Sequence, residues 1–290
     1  EYLASFLFIL VFFLPLPFIL TRPEATARSS EVFLIDEGAV NRINEQRAAS
    51  KYPNLITKLV YNRPVYFAKE FGKNYIGYFS PSYLFVKGGT QYQFSVPGKG
   101  LLLLPNLALF YIGLFVLFKK AFKNKKDFLF TASWLILAPI PASITQESSA
   151  VLRSSAMLPI ASILSAMGAI YIWERLKKLN YARLLVGLYF VTLFIFLAGY
   201  LKVYFTDYRT QYSWSWQYGY KQVVDYAKKN YESYDKIVVT KKYGEPHEFF
   251  LFYWPWDPAE YRNDENLIRF FQSSWFWVDR FDKFYFVNDW

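Results

Sequence analysis

Five apolar runs constrain this chain more than any other feature: Tyr2 to Leu20, Leu101 to Phe118, Phe128 to Ile144, Met157 to Trp173 and Leu184 to Tyr204. A hydrocarbon core takes roughly 17 to 25 apolar residues per crossing helix, and every run falls in that range. Inside lipid each backbone amide must find its partner within the protein, so such runs are helical, with breaks only where neighbouring groups satisfy the freed carbonyls. Pro15 and Pro17 in the first run, and Pro139 and Pro141 in the third, predict kinks or early helix ends. No run carries a charged residue at its middle, which removes the usual mark of a proton- or ion-coupled pathway.

The links between the runs suggest an orientation. Lys119, Lys120, Lys123, Lys125 and Lys126 crowd one link, and Arg175, Lys177, Lys178 and Arg183 another, whereas the link from Thr145 to Ala156 has Arg153 alone. Short lysine-rich links stay cytoplasmic. Counting crossings then puts segment 21–100, the Arg153 link and residues 205–290 on the outer face of the plasma membrane. The net charge of +10 is thereby read as a topology signal and not as an affinity for nucleic acid. The chain is 54% hydrophobic and 22% aromatic with a mean hydropathy of only +0.09, so apolar segments coexist with sizeable polar ones. It has no cysteine, hence neither disulfides nor a thiolate site. Because it opens on Glu1 and ends in an apparent strand, we expect it to be the C-terminal part of a longer protein, cut at both ends.

Segment 21–100 is too long for a bare loop and too polar to enter lipid. Helical patterns in EVFLIDEGAVNRINEQRAAS and PNLITKLVYNRPVYFAKEF predict amphipathic helices along the outer surface. Pro81, Gly88, Gly89, Pro97, Gly98 and Gly100 then mark an irregular loop. Tyr75, Tyr78, Phe79, Tyr83, Phe85 and Tyr92 are expected at headgroup depth, as an aromatic belt or as a sugar-stacking platform.

From Met157 to Trp173 there is no ionisable side chain, and Ala161, Ser162, Ser165, Ala166 and Gly168 recur at spacings that let another helix approach closely. Arg153 stands just before this run. It either anchors the helix at the interface or binds an anionic lipid headgroup.

Residues 205–290 predict a small α/β domain. GYKQVVDYAKKNY and ENLIRFFQ carry helical patterns, and DKIVVTKKY and KFYFVND strand patterns. The rings of QYSWSWQYGY and FFLFYWPWDP fit core and interface packing, with sugar binding as the alternative. His247 has no second histidine or cysteine to complete a zinc set, and we expect it to be neither a ligand nor catalytic. A phosphate-cradling glycine loop, a G-x-S-x-G elbow and an H-E-x-x-H pair are all missing from the sequence. The expected fold is therefore a multi-pass α-helical membrane protein of about five spans, with outer-surface helices and a small extracytoplasmic α/β domain.

Three stretches resemble the GT-C type membrane glycosyltransferases that use polyprenyl-phosphate sugars, the group of protein O-mannosyltransferases and the lipid A aminoarabinose transferase. They are YFSPSYLFVKGGTQYQFSVPGKGLLLLPNLALFYIGL, SITQESSAVLRSSAMLPIASILSAMGA, and the C-terminal region with WSWQYGYKQVVDYAKKN and IVVTKKYGEPHEFFLFY. What the resemblance implies is inverting transfer of a sugar from a polyprenyl-phosphate donor to a protein or lipid acceptor. The catalytic base would be an acidic residue in a first outer loop, upstream of this chain, where any divalent cation would also bind; no other cofactor is implied. Arg153 matches the arginine facing the donor phosphate, with Glu147 and Lys87 as further candidates for the same cavity. The family's histidine or proline before that arginine is replaced here by SSAV. The alternative is a non-catalytic membrane protein, a transporter half or a scaffold whose outer domain binds a partner.

Overall fold

A computed structural model describes residues 32–120, 125–272 and 275–288, together with Val11, Leu14 and Phe18. The first apolar run thus lies almost wholly outside the described residues. The structure is mostly helical with one small sheet, and the chain divides into two compact units, Phe33–Tyr212 and one built on Ser213–Trp290.

In the larger unit, helix α1 (Glu37–Ala48) starts where Asp36 accepts from Ala39 N at 2.6 Å, and α3 (Arg63–Tyr78) where Asn62 accepts from Val65 N at 2.9 Å, each satisfying an amide that the first turn leaves unpaired. Between them lies α2 (Asn54–Val60). Three further helices follow: α4 (Asn106–Lys120), α5 (Lys125–Leu137) and α6 (Met157–Leu176). The last, α7, runs unbroken from Ala182 to Gln211, with π-helical turns at Tyr204–Tyr208. That continuity moves the boundary of the C-terminal unit from residue 205 to residue 213.

Only α6 and α7, among the described residues, are long and apolar enough to cross a membrane. The two other described runs make shorter helices, for reasons of backbone chemistry. Leu101 to Pro105 stays irregular because the Leu102 amide is taken by Leu84 O at 2.8 Å and Pro105 has no amide to give, so helix begins at Asn106. The third run stops at Leu137, two residues before Pro139, and resumes only as the single turn Ile140–Ser143. None of α7's most apolar window is buried by protein, and Leu188, Phe190, Val191, Phe194 and Ile195 all stand exposed along it. An apolar surface of that extent suits a lipid environment.

Helices α4 and α6 cross through glycine. A Cβ on Gly113 would lie 1.8 Å from Leu164 O, and one on Gly168 1.9 Å from Leu109 O, so the backbones touch as the small-residue pattern of α6 predicts. Met157, Ile160, Ala161, Leu164, Ser165 and Gly168 form its buried face. Three rings expected at headgroup depth belong to the same core: Tyr78, Tyr83 and Phe85 are 1–3% exposed. Tyr78 closes α3, and the π-helical segment Ser82–Lys87 that follows carries Tyr83 and Phe85, with Tyr78 edge-on to Tyr83 at 5.1 Å.

The smaller unit contains α8 (Tyr220–Lys229), β1 (Ile237–Thr240), α9 (Pro246–Tyr253), β2 (Ile268–Gln272), β3 (Trp275–Phe281) and β4 (Phe284–Val287), with strand order β1-β4-β3-β2 and β1 parallel to β4. ENLIRFFQ, predicted as helix, is instead strand β2. Its apolar positions satisfy either period, and the adjacent partner decides: Phe270 and Phe271 register against Trp277 and Phe276, while Arg269 lies 4.0 Å above the Phe276 ring. Phe250, Phe281, Phe284 and Phe286 fill the centre, joined by Trp254 and Trp256, so much of the aromatic density is core; Trp214, Trp216 and Tyr218 remain exposed.

A candidate anion site around Arg153

The loop between the turn at Ile140–Ser143 and α6 is held from three directions. Phe33 pairs with Thr145 in an isolated bridge, Asn74 Nδ2 donates to Thr145 O at 3.1 Å, and the Ala150 amide donates to Tyr78 OH at 3.0 Å. Ser149 sits at φ 62°, a conformation costly for a residue with a side chain. Its surroundings account for it: Thr90 N donates to Ser149 O at 3.4 Å, and Gly89 lies so near that a Cβ there would come 2.5 Å from Ser149 O and 2.2 Å from Val151 Cγ2. Gly89 is thus required by close approach. The short helix Val151–Ser154 that follows carries Arg153, and Ser154 Oγ lies 2.5 Å from Tyr83 OH.

Arg153 Nη1 donates to Thr145 Oγ1 at 3.1 Å and stands 3.7 Å from Glu147 Oε2. The guanidinium makes no other contact of this kind among the described residues, and the side chain is 26% exposed. A planar fork secured at one corner, with its remaining N–H groups open, suits a doubly contacted oxyanion. Glu147 is itself fixed, taking hydrogen bonds from Gln91 Nε2 at 2.7 Å and Thr90 Oγ1 at 3.2 Å. Gln91 Oε1 is left buried with no partner. Lys87 is exposed at the end of the Ser82–Lys87 turn and forms no hydrogen bond or ion pair with Arg153 or Glu147. Of the three residues singled out from sequence, two come together and the third does not.

Burial pushes the Tyr78 hydroxyl above its usual range, with Glu147 adding to the effect and the Ala150 amide and Arg153 opposing it. Burial likewise raises Tyr83, to about 12. Both phenols therefore stay protonated as structural supports. A Tyr78→Phe substitution would strand the buried Ala150 amide, and we expect a loss of about 1–3 kcal/mol in chemical denaturation, against little change for Tyr75→Phe, whose hydroxyl sits on an exposed carbonyl contact.

Thr90, Gln91 and Thr145 were not distinguished by sequence, and Tyr78 and Tyr83 were expected at headgroup depth and not as buried supports of the Arg153 loop. The one available signal was the pair Gly88-Gly89 directly before Thr90, which marks a place where backbones come close.

A second polar cluster lies in the smaller unit. His247 Nδ1 stands 3.5 Å from Glu245 Oε2, and both atoms, with Tyr220 OH, are buried without a hydrogen-bond partner. Burial, then Lys241 and Arg269, hold the imidazole down to about 4 from 6.5. Between those values the unfolded chain binds a proton that the folded one refuses, so stability is full above pH 6.5 and falls as pH drops toward 4, by about 3 kcal/mol for His247 alone. Burial raises Glu245, which slopes the opposite way and offsets part of this. Denaturation followed by tryptophan fluorescence should show the acid loss, its flattening in His247→Gln and its steepening in Glu245→Gln. Among the described residues no three His, Cys, Asp or Glu side chains converge as a metal set.

Comparison of the chain with protein-family models, with curated proteins and with solved structures gives no match.

Proposed function

We propose that this chain is the phosphate-binding and outer part of a membrane glycosyltransferase that moves a sugar from a polyprenyl-phosphate donor to a protein or lipid acceptor at the outer face of the plasma membrane. The observation that carries the reading is the open guanidinium fork of Arg153, pinned by Thr145 and Glu147 four residues before a helix long and apolar enough to cross a bilayer. In transfer with inversion, the acceptor oxygen bonds to the anomeric carbon as the carbon–oxygen bond to the phosphate breaks. The electron pair of that bond leaves on the polyprenyl phosphate. Arg153 lies where two charge-assisted hydrogen bonds would stabilise this growing charge.

Glu147 takes a different role from the phosphate contact expected of it. A carboxylate only accepts hydrogen bonds and repels phosphate, so Glu147 positions Arg153 instead. The acceptor's proton goes to the general base that the family resemblance places upstream of this chain.

In this reading the exposed apolar surfaces of α5, α6 and α7 face lipid, in a multi-pass arrangement that leaves the C-terminal unit outside the cell. The test is a radiolabelled polyprenyl-phosphate sugar presented to the full-length protein in proteoliposomes. Acceptor-dependent release of polyprenyl phosphate is expected. Transport of an intact solute without any such release would replace this function with a carrier.

A further inference from the structure

The larger unit has a polar cavity that Arg153 does not line. It measures about 590 Å³ and lies between α1 and α3, with Gln146 and Ser148 on its wall. That is the size of a pocket for a small organic ligand. Arg42 of α1 and Lys69 and Lys73 of α3 bring three cationic groups to it, against the single lining carboxylate of Glu70.

The chemistry of α3 is divided by face. Tyr66, Lys69, Glu70, Lys73 and Asn74 follow the spacing of one helical stripe and all line the cavity, whereas Phe67, Phe71 and Tyr75 form another stripe, stacked ring on ring at 5.6–5.8 Å. The cations are poorly neutralised. Arg42 reaches Asp36 only at 3.8 Å while its Nε donates to Tyr66 OH at 3.1 Å, Lys73 reaches Glu70 only at 3.8 Å, and Lys69 has no ion pair or hydrogen bond among the described residues. Against these three cations stand the carboxylates of Glu70 on the lining and of Asp36 beside Arg42, so the balance of charge at the cavity is positive. Asn74 ties its wall to the Arg153 site: Thr145 accepts from Asn74 through its carbonyl and from Arg153 through its hydroxyl.

From this juxtaposition we infer that the α1–α3 cavity is a second anion site, which takes a phosphate-bearing molecule on Arg42, Lys69 and Lys73, back to back with Arg153 across the loop Thr145–Ser149. The inference does not depend on the transfer reaction, and holds equally if the protein carries no glycosyltransferase activity.

Calorimetric titration of the full chain in phosphatidylcholine nanodiscs with inorganic phosphate tests it. We expect saturable binding that weakens as ionic strength rises, about tenfold weaker in the double variant Lys69→Gln with Lys73→Gln, restored by arginine at both positions, and within about twofold of wild type in Lys51→Gln, an exposed lysine outside the cavity lining. Absence of saturable binding, equal affinity in the double glutamine variant, or a matching loss in Lys51→Gln would each overturn the assignment. A companion titration in discs doped with phosphatidic acid, against discs of equal charge doped with phosphatidylserine, identifies the source. Competition by phosphatidic acid alone marks a lipid headgroup, and its absence marks a free phosphate compound; either supports the shared chemistry.

Discussion

Replacing Arg153 by lysine in the full-length protein is expected to lower transfer by about 10²–10³-fold, nearly as far as replacement by alanine, because a lost transition-state donor costs about 3–4 kcal/mol in a preorganised site. Charge alone does not explain the effect. Arginine can keep Nη1 on Thr145 and still present other N–H groups to a phosphate, whereas a lysine ammonium that meets Thr145 and Glu147 has given up its position. The loss should appear in kcat as well as kcat/KM, since the charge on the leaving phosphate grows as the bond breaks. A melting temperature close to wild type would show that the fold persists, because the side chain is partly exposed and its ion pair is long. Undiminished turnover in Arg153→Ala would remove the basis of the proposed function.

Substitution of Gly168 by valine is expected to be the most damaging single change to folding. The added Cβ alone would sit 1.9 Å from Leu109 O and 2.9 Å from Gly113 N, both backbone atoms that no rotamer change can move. Helices α4 and α6 would have to part by more than an ångström, opening the packing around Phe110, Leu117, Ile160 and Leu164, all at most 2% exposed. Overpacking typically costs about 1–3 kcal/mol, and separation of the pair adds the loss of these contacts, so a total above about 3 kcal/mol is expected. Gly113→Val should behave alike, from its 1.8 Å approach to Leu164 O. Gly187→Ala on α7 is the control: nothing lies within 4 Å of its Cβ position, and the melting temperature in detergent should barely change. Equal melting temperatures for Gly168→Val and wild type would mean that the crossing is not as close as described.

Local features of the chain were legible where chemistry is local. The small residues of α6 announced a close helix contact, and Gly113 with Gly168 supplies it. Pro139 announced the early end of α5. Helix α8 and strands β1 and β4 follow their apolar periods, since each is stabilised by a face its own sequence defines. Strand β2 does not, because ENLIRFFQ fits both periods and only its neighbour β3 selects one. The candidate site divides similarly. Arg153 is visible as a lone cation before an apolar run, but Gln91 and Thr90 reach Glu147 across more than fifty residues of chain, and no periodicity reports such a pairing.

By itself the sequence determined that long apolar stretches occur, that α6 is built for close contact and that one arginine marks its entrance, since each depends on the composition of a single stretch; that two of the helices among the described residues reach spanning length came from the structure. Tertiary structure alone decided that Tyr78, Tyr83 and Phe85 are core rather than belt, that Lys87 stands apart from Arg153, and that three cations from two helices share a cavity. Those outcomes depend on how distant segments meet, and burial is a property of the meeting and not of the residue.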